Sequence, residues 1–465
     1  MINKKLVVLL KYYKGELNPF DACTLECALT LGFKDITVLA MAPNSVLESL
    51  KSLTRLGVKA VLISDPVYAG SDTLVTSLIL SEALKKLSPD IIFCGRQSVD
   101  GDTGFVPMMV AKRLNFNVYD RVMSIDNGSL LLRDGNTVNL LPNTLYTFER
   151  FKNLRFFSIF SKASSVTVLD NSILNIPIDN CGLKGSKTRV IKTYESTVGR
   201  RYCKFITVDE LFDVIKKSLK KTTVYNTVQL TDKLNRVLYV GNIYSIANNI
   251  ANNAIKLEVD NKSDETLKDE ILSLNADAVI FEDTPTLKQL APRLAVLTGS
   301  GICADVINFS VVNGALVLTR PALSGSITAD IICTNKPAFA TVRTPKKASA
   351  DVILSVGKGA INLTDKVIDV ALKIGAEVCC SRIVADSGKL PYKHQVGLTG
   401  KTVFSSVYIA LGISGAVQHT CAISSVGTVI AVNTDKNARI FDYADYGIVG
   451  DINLVLDKLK DLSLN

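Results

Sequence analysis

Short runs of β-branched and other apolar residues alternate with helical patterns along almost the whole chain, and no other feature constrains its fold as much. KLVVLLK is followed by a helical pattern from about Asp21, DITVLAMA by SVLESLKSLTRLG, AVLISD by TLVTSLILSEALKKL, and DIIFCGR by GFVPMMVAKRL. Strands separated by helices at this spacing pair in parallel, because each helical crossover carries the chain back over a sheet face. Between about Arg121 and Ser164 apolar and polar residues alternate, with turn pairs at Asn127-Gly128 and Asp134-Gly135, which predicts an antiparallel excursion or hairpins. An amphipathic helix, VDELFDVIKKSLKK, then leads into the polar stretch TTVYNTVQLTDKLN, which reads as a linker. The alternation restarts with RVLYVGNI, DAVIFED and PAFATVR. It restarts again after Pro345-Lys346-Lys347 with DVILSVGKGA, TDKVIDVALKIG and GTVIAVN. The expected fold class is α/β: three modules with doubly wound parallel sheets, at residues 1–226, 233–345 and 346–465.

The 465 residues are 47% hydrophobic and 21% charged, ample for several cores. The opening MINKKLVVLLK has an apolar run too short for an export signal, and it reads as a first buried strand. No apolar run reaches the roughly 18 residues of a membrane span. A soluble, cytoplasmic protein is expected. Ten cysteines without regular spacing then read as reduced, mostly buried thiols. Cys23 with Cys27, and Cys379 with Cys380, lack C-x-x-C partners, and two histidines cannot complete the usual ligand sets, so no metal is expected. The net charge of +9 is spread along the chain and reads as a solvated basic surface, with no nucleic-acid partner.

Both histidines fall in HQVGLTGKTVFSSVYIALGISGAVQH, residues 394–419, together with four glycines. A glycine between strand and helix lets the two pack closely, or lets a phosphate approach backbone amides at the positive end of a helix. GISGAVQH alone leaves both readings open, and QVGLTGK just upstream, with the Thr399 hydroxyl, shifts the balance toward a dinucleotide. His394 and His419 have no Ser, Cys or carboxylate partner in a nucleophile-base arrangement, so hydrolase chemistry gains nothing from them. They and Arg382, in CSRIVADSG, offer hydrogen bonds and positive charge to an electron-rich ring. CGRQSVDGDTG, from Cys94 to Gly104, is either a capped helix entry or a nucleotide loop. It lacks the lysine and spacing of a P-loop, so ATP hydrolysis is not supported.

Together these pieces resemble the electron transfer flavoprotein family, with both subunits in one chain. SRIVADSG, HQVGLTGKTV, YIALGISGAVQH, IAVN and ADYGIVGD are similar in order and spacing to the Rossmann-like FAD-binding domain of the α subunit. LAPRLAVLTGSGICADV, TRPALSGS and PAFATVR resemble the α subunit's N-terminal domain. NPFD, SDPVYAGSDTLVTS, CGRQSVDGDTG and GLKGSKT resemble the β subunit. The resemblance implies FAD, with Ser381 and Arg382 beside the flavin ring and Gln395, Val396, Gly397, Leu398 and Thr399 along it, the Thr399 hydroxyl near N5. It sets Gly412, Ser414, Gly415, Gln418 and His419 at the ring edge and linking chain, and Asn433 and Asp445 at the adenosine half. Arg382, Thr399 and His419 would tune the ring, and His394 has no role. A guanidinium over the ring and donors at its edge stabilise negative charge on the reduced ring without proton transfer.

The departures carry their own expectations. Lys358 stands where the family has an arginine, and Leu398 where it has a glutamine. The α-like N-terminal module lacks most of one β-α-β repeat before DAVIFED. NLRFFSIFSKASS replaces the loop that docks on dehydrogenases, without the usual lysine run. A second nucleotide, FAD or AMP, is expected in the first module, where Asn18, Asp21, Asp72, Thr73, Gly95, Asp100 and Thr103 follow strands of one sheet and should meet at its carboxyl edge. Asp72 and Asp100 would accept from ribose or adenine, amides near Thr73 and Thr103 would face phosphate, and Phe105 and Pro107 would narrow the loop. The implied function is an electron carrier between acyl-CoA dehydrogenase-type flavoproteins of fatty acid β-oxidation and an acceptor, a ferredoxin or quinone reductase. No separate partner subunit is needed, and the second FAD would make the chain an electron-bifurcating NADH oxidiser. The alternative is a nucleotide-binding sensor that kept the fold and lost electron transfer.

Overall fold

The computed structural model describes residues 2–126, 128–195, 199–219, 232–323, 325–344 and 346–462. Most of the expected linker and Asn127 of the first turn pair lie outside the described residues. The chain forms two compact units, one of Met1–Thr193, Gln229–Leu323 and Ala329–Val342, the other of Tyr194–Val228, Ser324–Thr328 and Arg343–Asn465. Among the described residues no helix is long and apolar enough to cross a membrane.

The first unit holds two largely parallel sheets. In the larger, β1 (Ile2–Leu10), β2 (Phe33–Met41), β3 (Lys59–Ile63), β4 (Ile91–Gly95), β5 (Asn117–Asp126) and β6 (Thr144–Phe148) lie in the order β3-β2-β1-β4-β6-β5. Leu6, Val7 and Val8 in β1 and Ile91, Ile92 and Phe93 in β4 are fully buried, as continuous apolar runs covered on both faces must be. The second sheet has β7 (Leu234–Val240), β8 (Ala251–Lys256), β9 (Ala278–Glu282), β10 (Ile302–Val306) and β11 (Ala338–Val342) in the order β8-β7-β9-β11-β10. Superposed in topology, it repeats the first sheet with no counterpart of β3 among the described residues, which matches the short stretch before DAVIFED.

The antiparallel excursion is shorter than the alternation predicts. β5 pairs antiparallel with Ser129–Leu132, which pairs with Thr137–Val138, but β6 returns parallel to both β4 and β5. Residues 149–165 form neither strand nor helix. The buried Glu149 follows the end of β6, its carboxylate held by Arg96 at 3.0 Å and Arg133 at 3.1 Å. Alternation beyond that point reflects no sheet face.

The second unit is a doubly wound sheet built on β12 (Val352–Val356), β13 (Glu377–Cys380), β14 (Val407–Leu411), β15 (Thr428–Asn433) and β16 (Tyr446–Val449), in the order β13-β12-β14-β15-β16, all parallel. A parallel bridge from Cys380 to Gln395 continues the sheet past β13. Counting that bridge as the third strand gives the order 3-2-1-4-5-6, with the direction of winding reversed between β12 and β14. That is the Rossmann order, and it fixes where a ligand site belongs: outside the carboxyl ends of β12 and β14. All ten cysteines are free, eight buried and two half-buried, as the reduced-thiol reading expects.

Candidate functional site

At the winding reversal of the second unit, two glycine loops meet backbone to backbone. Gly357 N–H donates to the Leu411 carbonyl (2.8 Å), and Gly359 N–H to the Gly412 carbonyl (3.0 Å). A Cβ on Gly357 would lie 2.3 Å from the Gly412 oxygen, and one on Gly412, whose φ is +63°, would lie 2.7 Å from Ala360 N. Gly415 likewise has Ile440 N where its Cβ would be, at 2.1 Å. Close packing thus requires glycine at all three positions, and it brings both loops to one edge. Lys358 and Ser414 are exposed on them.

The neighbouring strand end adds Ser381, whose N–H bonds the Val356 carbonyl (2.9 Å) and whose buried Oγ has no hydrogen-bond partner. Arg382 follows, half-exposed, with Nε 3.2 Å from the Asp386 carboxylate. The bridge strand carries Gln395 and Val396, both buried. Gln395 Nε2 donates to the Thr399 hydroxyl (2.7 Å), which leaves that hydroxyl its own hydrogen to give. Gly397, at φ +147°, lies within 2.9 Å of the Gln418 carbonyl by its absent Cβ, and the Leu398 N–H donates to the same carbonyl (2.6 Å). The loop 395–399 and the short helix Val417–Thr420 are thus one assembly.

The two histidines separate. His394 is a half-buried structural residue with Nδ1 2.8 Å from the Val378 carbonyl. His419 is buried, with Nε2 2.8 Å from the Tyr408 hydroxyl. Its Nδ1 faces the Val396 backbone without a well-formed hydrogen bond. Burial pushes its pKa down to about 4, so the ring is neutral near pH 7. The unpartnered Ser381 Oγ, at this glycine-lined edge, is a group that a bound ring with hydrogen-bonding edges would satisfy.

Two expected adenosine residues part company. Asn433 ends β15 at the same carboxyl edge and donates to the Ile413 carbonyl (3.0 Å). Asp445 lies at the opposite edge, where its carboxylate accepts from Val429 N (2.8 Å) and Arg201 (2.5 Å). An acid that the fold does bring to the carboxyl edge is Asp451, exposed just beyond β16, where it caps the helix Ile452–Leu459. The repeated aspartates of ADYGIVGD give it no separate signal in the sequence.

In the first unit, all seven expected second-nucleotide residues line one cavity of about 1040 Å³ at the carboxyl edge of β1 to β4. Their jobs differ. Asp21, in α1 (Pro19–Leu31), accepts from Lys11 N (2.7 Å) and Gly95 N (2.9 Å) and so staples the ends of β1 and β4. Burial pushes its carboxyl up to about 7, against those bonds, the Asn18 side chain and the Lys11 charge. Asp72 caps α2 (Thr73–Leu87) through Val75 N and takes three more hydrogen bonds from Lys187 N, Thr188 N and the Thr188 hydroxyl. It is a brace, and an acceptor for ribose must come from elsewhere. Against the upward push of burial, Lys11 at 3.2 Å, the Ser98 side chain and the Gly101 backbone hold the Asp100 carboxyl below the usual range, while Asn18 Oδ1 is buried without a hydrogen-bond partner. Phe105 opens α3 (Phe105–Leu114) but turns into the core with Met109 and Leu238, so only Pro107 narrows the cavity. The sequence reading missed Arg320. It is 4% exposed, held by Nε to the Ala304 carbonyl (2.8 Å) and Nη1 to the Gly101 carbonyl (2.6 Å), and its Nη2 has no partner. The signal was there, an arginine inside the apolar run ALVLTRPA.

Comparison with known proteins fits both regions. A sequence profile described as electron transfer flavoprotein domain matches residues 5–132 and 254–364, and one described as electron transfer flavoprotein FAD-binding domain matches residues 347–424. The electron transfer flavoprotein subunit alpha of Thermoanaerobacterium thermosaccharolyticum is 34% identical over 239 residues, 40% of this chain and 72% of the relative. That of Bacillus subtilis is 34% identical over 238 residues, 41% of this chain and 73% of the relative. The acryloyl-CoA reductase electron transfer subunit beta of Anaerotignum propionicum is 31% identical over 277 residues, 42% of this chain and 75% of the relative. The domain profile matches once over the first sheet and again from within the second, as the repeated topology requires, and the FAD-binding profile covers the winding reversal and its loops. The chain belongs to the electron transfer flavoprotein family.

Proposed function

We propose that this one chain does the work of both electron transfer flavoprotein subunits, with FAD in the second unit and a second nucleotide in the first. What carries the reading is the convergence, at one winding reversal, of Ser381, Arg382, the 395–399 loop, Ser414, Gln418 and His419. Bound FAD supplies one- and two-electron transfer, and the chain's residues bind and tune it. Arg382 supplies positive charge beside the ring, and Thr399, already accepting from Gln395, has a hydrogen to donate to N5. His419 keeps Nδ1 as its remaining donor while Tyr408 holds Nε2. Lys358 offers the phosphates a point charge where an arginine would offer a fork. At the adenosine end the carboxyl edge favours Asn433 with Asp451, while Asp445 is committed to Arg201.

For the first-unit cavity, a second FAD is the better reading. Its volume of about 1040 Å³ is more room than AMP fills, Phe105 does not obstruct it, and Arg320 brings to it a guanidinium whose Nη2 has no hydrogen-bond partner. A second flavin able to accept hydride is what NADH oxidation and bifurcation require. The partner is a CoA-linked flavin dehydrogenase, a reading supported by the relative named as an electron transfer subunit of acryloyl-CoA reductase. The docking element is the loop where Phe156, Ile159 and Phe160 are 98%, 83% and 87% exposed. The test is the visible spectrum of the purified or FAD-reconstituted chain and its reduction by NADH. A flavin spectrum bleached by NADH supports the bifurcating carrier. Flavin without NADH reduction leaves a simple carrier, and a chain that takes up no flavin is the nucleotide-binding sensor instead.

A further inference from the structure

Residues 199–219 precede the rest of the second unit in sequence by more than the length of that unit's sheet, and they nonetheless build into it. Lys204–Phe205 pairs in parallel with Tyr446 and Gly447 as an edge strand. Leu211 and Ile215, from the helix Leu211–Leu219, are fully buried in the same core as Val352, Leu354 and Leu456. Ahead of that strand, Arg201 ties the segment down. Its N–H donates to the Asp442 carbonyl (2.9 Å), Nη1 to the Asp445 carboxylate (2.5 Å) and the Gly427 carbonyl (3.2 Å), and Nη2 to the carbonyls of Val426 (2.5 Å) and Ser424 (3.4 Å). Gly199, at φ +79°, lies so close to Ser424 that a Cβ there would sit 3.2 Å from the serine Cβ.

The guanidinium therefore gathers three carbonyls of one loop and a carboxylate, a set that suits its planar fork of donors and that no other side chain could satisfy at once. That loop joins the helix Val417–Thr420 to β15. The same helix is bonded through the Gln418 carbonyl to Leu398 N, so loop, helix and the 395–399 segment form one connected assembly. Asp445 accepts from Val429 N as well, which fixes the guanidinium against the start of β15.

We infer that Arg201 is a positioning residue for the flavin site, acting through the loop Ser424–Gly427 to hold Gln418 and His419. The inference rests on reading Gln418 and His419 as flavin residues. Asp445 then serves the site indirectly, as the counterion of Arg201.

The test uses the full chain with Arg201→Ala, Arg201→Lys, Asp445→Asn and the double variant Arg201→Ala/Asp445→Asn. Lys458→Ala is the control, since Lys458 contacts Asp209 of the same segment at 2.9 Å without touching the loop. Two quantities are read: amide exchange of residues 418–427 in the FAD-free chain, and the dissociation constant for FAD by flavin fluorescence. Arg201→Ala should raise exchange in 418–427 and weaken FAD by about tenfold. Arg201→Lys should recover part of both, the double variant should lose no more than Arg201→Ala alone, and Lys458→Ala should match the parent. A lower melting temperature with unchanged exchange in 418–427 and unchanged FAD affinity would overturn the inference and leave Arg201 a stabilising residue only. If the parent takes up no FAD, the flavin reading fails, while the exchange measurement still decides whether Arg201 holds the loop.

Discussion

His419 and Asp21 are both buried ionisable side chains, yet they pull stability in opposite directions with pH. His419 has its folded pKa lowered to about 4 from 6.5, so the unfolded chain binds its proton first, and the contribution is complete above pH 6.5 and lost as pH falls through 4. Asp21 has its folded pKa raised to about 7 from 3.8, so its contribution is complete below pH 3.8 and lost as pH rises through 7. Amide exchange reads the units separately: strand β15 should lose protection on acidification below pH 6.5, with that loss flattened in His419→Gln. Strand β1 should lose protection between pH 4 and 8, and Asp21→Asn should remove the slope while costing about 1–3 kcal/mol, because an amide nitrogen would face one of two backbone donors. Arg382→Ala should lower the flavin potential by the equivalent of about 1–2 kcal/mol, with Arg382→Lys intermediate, checked by a reductive titration against a dye. An unchanged potential would mean that Arg382 spends its charge on Asp386. At this scale the sequence marked positions better than jobs. All seven first-unit residues reach one cavity, but nothing in the spacing of Asp72 tells that residues 187 and 188 return to claim its carboxylate. Asp445 and Asp451 differ only in lying before and after a strand, which decides the edge of the sheet they occupy.

Elements were legible wherever an apolar run is buried on both faces. KLVVLLK, DIIFCGR and GTVIAVN are strands because continuous apolar residues suit parallel sheets covered by helices, and the turn at Asp134-Gly135 closes a hairpin with Gly135 at φ +93°. Past Phe148 the alternation predicts a sheet that the chain does not form, since it comes from side chains that are exposed or paired and no face selects among them. The glycine loops were undecided between packing and phosphate, and the structure shows close packing at Gly357, Gly412 and Gly415. Gly412→Ala combines φ +63° with a clash against Ala360 N, so it should destabilise the second unit by about 2 kcal/mol or more in urea unfolding. The first unit should unfold at the parental midpoint.

Across the whole molecule, the restarts of strand and helix showed how often a sheet is built, and the repeated topology with one strand fewer in the second sheet follows from the shortened repeat. Sequence alone did not show that residues 199–219 join the C-terminal fold, because edge-strand pairing and a buried helix face are made with partners that begin only at Arg343. Nor did it show that the loop bearing Phe156, Ile159 and Phe160 leaves them open to solvent. The central claim, one chain holding a flavin in its second unit and a nucleotide in its first, is tested most directly by mass spectrometry of the cofactors released from purified protein. The account predicts two FAD per chain, with one lost in Ser381→Trp and the other in Arg320→Glu. One AMP in place of the second FAD would remove bifurcation alone, and a chain that releases no FAD and binds none on reconstitution would contradict the account.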